Sequence, residues 1–123
     1  MRVLSVRQPW AWAICAGHKR IENRSWWTSY RGPLLIHAGR IVDQGATDHL
    51  RALGIKAPHD LITSAIIGSV VLDDIVPNEM VADDPFASGP WCWLLSSPRF
   101  LPAPVPMPGQ LRLFEVELAE GAG

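Results

Sequence analysis

An α+β, mainly β domain or a small closed barrel is what this 123-residue sequence predicts. Three observations carry that expectation. Short apolar and β-branched runs recur at residues 3–6, 34–38, 65–76, 91–96 and 111–118, and the last, LRLFEVEL, alternates most clearly. Only residues 10–16 and 41–53 carry helix signals, so strands and helices do not alternate regularly, which argues against a doubly wound sheet. The length suits a single domain, residues 1–123, and barrel closure would remove exposed strand edges at this size.

Taken in order, residues 3–6 form the first strand and Gln8-Pro9 ends it. Proline has φ preset and needs no backbone donor, so Pro9 can open a helix over 10–16, with Trp10, Ala13 and Ile14 at helical spacing. Gly17 suits the left-handed position after its end. Residues 19–27 read as extended, placing Arg20, Glu22, Arg24 and Trp26 on one face and Ile21, Asn23 and Ser25 on the other. Residues 28–32 turn, 34–38 form a second strand, and Gly39 is expected to break it.

A helix over 41–53 stopped by Gly54 precedes a loop at 56–60. The long strand 65–76 contains Gly68, read as a bulge or a point of close approach. Residues 77–90, with Asp83-Asp84-Pro85 and Ser88-Gly89-Pro90, look like an acidic surface excursion that would act as a lid if it covered a cleft. The alternating Pro102, Pro104, Pro106 and Pro108 predict an extended polyproline II connection. Residues 119–123 read as a frayed tail.

Composition bounds the function. With 48% hydrophobic and 19% charged residues the chain reads as globular rather than disordered. No apolar run reaches membrane-spanning length, and residues 1–4 lack a signal-peptide layout, so no membrane partner and a cytoplasmic location are expected. Cys15 and Cys92 sit in apolar contexts and read as reduced, buried thiols. The four histidines show no ligand spacing with each other or with the cysteines, so no metal and no other cofactor is expected.

The net charge of −1 hides an asymmetry. Residues 1–40 hold seven of the eleven Lys and Arg, one of the twelve acids (Glu22) and four of the six Trp, a formal charge of +6 against −7 for the remainder. Basic and aromatic residues concentrated together suit an anionic, planar ligand, which points to nucleic acid or a nucleotide.

Gly17-His18-Lys19-Arg20-Ile21-Glu22-Asn23-Arg24 matches the pattern G-x-K-x-x-E-x-R, flanked by Leu4-Ser5-Val6-Arg7-Gln8-Pro9-Trp10-Ala11, Ser25-Trp26 and Tyr30-Arg31-Gly32. This motif resembles that of the ASCH domain family, in the branch found in certain transcription coactivators and in small bacterial stand-alone members. Gly68-Ser69-Val70-Val71-Leu72-Asp73-Asp74 and Trp91-Cys92-Trp93 resemble later blocks of the same domain. The resemblance implies a PUA-like β-barrel of about five or six strands flanked by two or more short helices, with a cleft lined by the motif.

The expected ligand site is Lys19, Glu22 and Arg24, joined by Arg7, Gln8, Trp10, Trp26, Tyr30 and Arg31. Lys19 and Arg24 would meet a phosphate or base edge, Glu22 would orient them or accept a base amino proton, and Trp26 would stack. Arg7 and Gln8 would act at the helix start. The competing reading is an exposed Lys/Glu/Arg ladder worth under about 1 kcal/mol. His37, inside an apolar strand, reads as a hydrogen-bonded core histidine.

Three functions follow. The first is a monomeric RNA- or nucleoside-binding module, with DNA a further ligand and a coactivator-like protein-interaction role a variant. The second, implied by the resemblance, is an amidohydrolase of N4-acetylated cytidine, in which Lys19 matches the family's lysine. Glu22, however, stands where those enzymes carry a threonine nucleophile, and a carboxylate replaces an activated hydroxyl poorly. The third is a ribonuclease using the RNA 2′-OH, with Lys19, Glu22 or His37 as acid or base. Lys19 and Glu22 are the catalytic candidates in either case.

Overall fold

The chain, as a computed structural model, is described over residues 1–110 and 112–117. In chain order it forms β1 (Arg2–Gln8), α1 (Trp10–Cys15), β2 (Ile21–Arg24), β3 (Gly32–Val42), α2 (Gln44–Ala52), β4 (Ala65–Pro77), β5 (Trp91–Pro106) and β6 (Leu113–Glu115). The six strands make one sheet in the order β2-β5-β4-β3-β1-β6. β1 and β3 run parallel, and the other neighbours are antiparallel. The expected α+β, mainly β architecture is therefore the observed one.

Period-two alternation sorts the core. Leu4 and Val6 of β1 and Leu34, Ile36 and Ala38 of β3 face α1, together with Leu72, Trp93 and Leu95. Val3, Leu35, Ile66, Leu101 and Phe114 pack on the opposite face. α1 is short, and burial of Ala11, Ala13, Ile14 and Cys15 is what keeps it helical. Its Trp12 N–H donates to Gln8 Oε1 at 2.9 Å, which satisfies a donor the helix itself leaves open. Gly17 follows with φ +86°, as its place after the helix requires.

Several boundaries differ from the sequence reading, each for a physical reason. Gly39 does not end β3, which continues to Val42, so residues 41–42 are strand and not helix. α2 starts only after Asp43, whose Oδ1 accepts from the Ala46 N–H at 3.1 Å as an N-cap. Pro102, Pro104 and Pro106 are not in a free polyproline connection but in β5, paired with β4 through Val105↔Ile66 and Pro106↔Ala65. Alternation explains the tolerance, because the prolines' missing donors fall on one side of the strand while Met107 N–H still reaches Ser64 O at 3.0 Å. Gly68 does sit at a register shift of β4. The expected strand 111–118 is observed as Leu113–Glu115, and its two ends, with the tail 119–123, fall at or beyond the limit of the described residues.

Both cysteines are free and buried. Burial pushes the Cys15 thiol up to about 12, which leaves it protonated and unreactive near neutrality. No described helix is long and apolar enough to cross a membrane.

Candidate functional site

β6 pairs with β1 only at residues 2–4, so β1 from Ser5 onward has a free edge among the described residues. The sheet curls until β2 faces that edge: Arg24 of β2 donates a guanidinium N–H to the Ser5 carbonyl at 2.8 Å. A cleft of about 870 Å³ opens between them. Its wall carries Arg7, Arg24, Arg40 and Arg112, together with Trp10, Glu22, Ser5 and His37.

The motif residues form a buried chain of charge rather than an exposed ladder. Lys19 is 3% exposed and Glu22 7%. Lys19 Nζ donates to Glu22 Oε1 at 2.9 Å and to the Ile21 carbonyl. Arg24 Nε donates to Glu22 Oε2 at 2.9 Å, so both carboxylate oxygens are occupied by cations. Burial alone would raise the Glu22 pKa, but Lys19 and Arg24 outweigh it and hold the carboxyl below its ordinary range. The ammonium of Lys19 also lies 5.5 Å from the centre of the Trp10 ring.

Lys19 does not face the main cleft. It lines a separate cavity of about 300 Å³ with Trp10, Asn23, His49 and Phe86, on the other side of Glu22. That cavity is roofed by the excursion 77–90, whose Phe86 is buried and whose Pro85 carbonyl faces His49 Nε2 at 3.2 Å. Asn23 pins it: Nδ2 donates to Phe86 O at 2.7 Å, and Oδ1 accepts from Ser88 and Gly89 N–H at 2.9 and 3.0 Å. The excursion thus covers Lys19 and not the arginine-lined cleft. Asn23→Ala is expected to release it, lowering stability by about 2 kcal/mol and accelerating proteolytic nicking within 83–90, read by limited proteolysis.

The other sequence-selected residues divide. Arg7, Trp10, Glu22 and Arg24 meet on the cleft wall. Gln8 is buried and spends its amide on Trp12 N–H and the Ile62 carbonyl, a structural post. Trp26 packs edge-to-face on buried Trp93 at 4.9 Å, and Arg112 lies 5.0 Å from its ring centre. Tyr30 and Arg31 are turned elsewhere: Tyr30 OH donates to Pro33 O, and Arg31 holds the Thr28 and Tyr30 carbonyls and approaches Asp74. Arg20, expected on the Glu22 face, precedes β2 and is exposed. Missed from the sequence were Arg40, Arg112 and Ser5. Arg40 at least belonged to the basic third, whereas Arg112 arrives from the far end of the chain through β6.

The sequence model of the ASCH domain matches residues 4–85, two thirds of the chain. The chain belongs to the ASCH domain family. This ASCH domain is 27% identical over 127 residues to human activating signal cointegrator 1, an alignment covering 93% of this chain and 22% of that protein. The mouse protein of the same name is 34% identical over 84 residues, covering 62% of this chain and 14% of that one. The chain thus spans about a fifth or less of these relatives. Crystal structures of the ASCH protein from Zymomonas mobilis share the fold: a tyrosine-to-phenylalanine mutant of it superposes with a TM-score of 0.56 at 17% identity, covering 85% of this chain and 74% of that one. The same protein without a substitution gives 0.53 at 18% identity, over 85% and 72%. The mainly β fold with two short helices expected of this chain is therefore shared with these ASCH structures.

Proposed function

We propose that this ASCH domain binds single-stranded RNA, seating one nucleotide in the cleft along the free edge of β1. The convergence of Arg7, Arg24, Arg40 and Arg112 around one cleft that Trp10 also lines carries the reading. Phosphates would take the arginines, a base would lie against the partly buried Trp10, and the ionised Glu22 would accept from a base amino group. Because Lys19 and Arg24 already hold Glu22 rigidly, that acceptor is in place before the ligand arrives, which lowers the cost of ordering it. Residues 1–123 act in this reading as one monomeric domain without metal or cofactor.

The same geometry weighs against the Lys19-based hydrolases. Lys19 is an ammonium committed to Glu22 and Ile21 O, and it lies outside the main cleft. It is not a base beside a hydroxyl.

Tryptophan fluorescence titrated with short single-stranded RNA, at low and raised salt, tests the reading. Arg40→Ala is the informative variant, since the Arg40 side chain is exposed and makes no side-chain hydrogen bond or ion pair among the described residues. The expected result is weaker binding and a salt slope shallower by about one. Affinity and slope unchanged in Arg40→Ala, or no binding by the native protein, would sink the proposal. Saturable, salt-insensitive binding of a free nucleoside alone would replace RNA with a small-molecule ligand.

A further inference from the structure

The cleft contains two residues that RNA binding does not require. Ser5 and His37 stand opposite each other on the parallel strands β1 and β3, and Ser5 Oγ lies 2.8 Å from His37 Nδ1. The second ring nitrogen, Nε2, lies 2.7 Å from the Met107 carbonyl oxygen. A carbonyl only accepts, so Nε2 carries a proton and donates it there. In the neutral imidazole Nδ1 then has a free lone pair, and the Ser5 hydroxyl donates to it. Hydroxyl, base and orienting acceptor follow one another in a hydrogen-bonded chain, the arrangement that activates a nucleophile.

The surroundings hold this pair in place. His37 is 1% exposed and Phe114 packs edge-to-face against it at 6.2 Å. Gly109 passes so close that a Cβ there would lie 2.7 Å from Ser5 Oγ and 2.9 Å from His37 Cε1, so any larger residue would displace the pair. Ser5 itself is only partly buried and lines the cleft. Its own carbonyl receives the Arg24 guanidinium, which sets positive charge beside the hydroxyl.

We propose that Ser5 is a nucleophile activated by His37, and that it hydrolyses carboxylic esters of phosphate-bearing alcohols. Ser5 Oγ attacks the ester carbonyl carbon as its proton passes to His37 Nδ1. The tetrahedral adduct collapses, the C–O bond to the alcohol breaks, and that oxygen leaves with the proton from Nδ1. Water then attacks the acyl-serine, gives its proton to Nδ1, and the returning proton frees the Ser5 hydroxyl with release of the carboxylic acid. An ester is favoured over an amide because Met107 supplies a neutral carbonyl where a carboxylate would better stabilise the imidazolium, so a good leaving group is needed. The four arginines select the phosphate-bearing leaving group; this last point rests on the anionic-ligand reading of the cleft.

The test uses the full chain with a fluorophosphonate probe and with p-nitrophenyl acetate, read by peptide mapping and by the nitrophenol burst. One label per chain on Ser5 is expected, none in Ser5→Ala, and a rate lowered about a hundred-fold in His37→Gln. A native protein left unlabelled at Ser5, or a burst unchanged in Ser5→Ala, overturns the proposal. Ser5→Ala removes one oxygen at a partly buried site, so it keeps the test decisive even where His37→Gln fails to fold. RNA titrated on the same preparation separates the two readings. RNA binding without a Ser5 label ends the nucleophile proposal alone. A Ser5 label on a protein that binds no RNA supports the nucleophile and ends the RNA reading.

Discussion

Glu22→Gln is expected to destabilise the domain by about 3–5 kcal/mol, a large share of the stability of any domain this size. The reason lies in what is left behind. Lys19 is 3% exposed, so without the carboxylate its ammonium stays buried with the Ile21 carbonyl and the face of Trp10 for company. Arg24 suffers less, because its side chain is 23% exposed and can turn to the water of the cleft. Adding Lys19→Met to Glu22→Gln should therefore recover much of the loss, since the uncompensated charge is then gone. Urea midpoints of the two single variants and the double variant would show this; additive losses would contradict it.

The same residue sets an acid limb. The folded pKa of Glu22 lies below the ordinary 4.5, despite burial, because Lys19 and Arg24 favour the carboxylate. Below 4.5 the unfolded chain takes up this proton before the folded one does. The contribution is thus fully present above 4.5 and is lost as pH falls through the lower folded value. Glu22→Gln should flatten that part of the stability profile while lowering the whole of it. A variant as acid-sensitive as the native protein in this window would assign the limb to other carboxyls.

Gly68→Ala is expected to cost about 3 kcal/mol, at the upper end for overpacking. A Cβ on Gly68 would lie 2.4 Å from the Arg99 carbonyl of β5 and 2.5 Å from Cys15 Sγ of α1. Neither neighbour is the loose end of a flexible side chain. Moving the carbonyl opens the β4–β5 ladder, and moving Cys15 lifts α1 from the sheet. Cys15→Ala should relieve only the second clash and so restore only part of the stability. Gly39→Ala is the control, because its nearest neighbours lie at 3.6 Å and a loss below about 1 kcal/mol is expected there. Equal losses at both glycines, measured by urea unfolding, would show that glycine content and not close approach is what matters.

Where local chemistry decides, the sequence was readable. Gly17 after α1, Gly68 at a close approach, the apolar runs of β1, β3 and β4 and the basic first third all follow from residue type and spacing. The errors came where a neighbour overrode a local preference. Val42 extends β3 because it pairs with Gln8 of β1, which no helix signal reports. The prolines after residue 101 join a strand because β4 offers a partner on the one side where their missing donors do not matter.

For the site the division is sharper. The motif alone determined that Lys19, Glu22 and Arg24 act together, since their short separations along the chain place them within reach of one another. It did not determine which of them lines the arginine-rich cleft. Tertiary structure decided that, burying Lys19 beneath Phe86 and turning Arg24 toward β1. It also brought Ser5 to His37, 32 residues along the chain, and Arg112 to a cleft begun by Arg7. Such meetings depend on strand register and on the curl of the sheet, which are set by the packing of the whole core and by no residue's own preference.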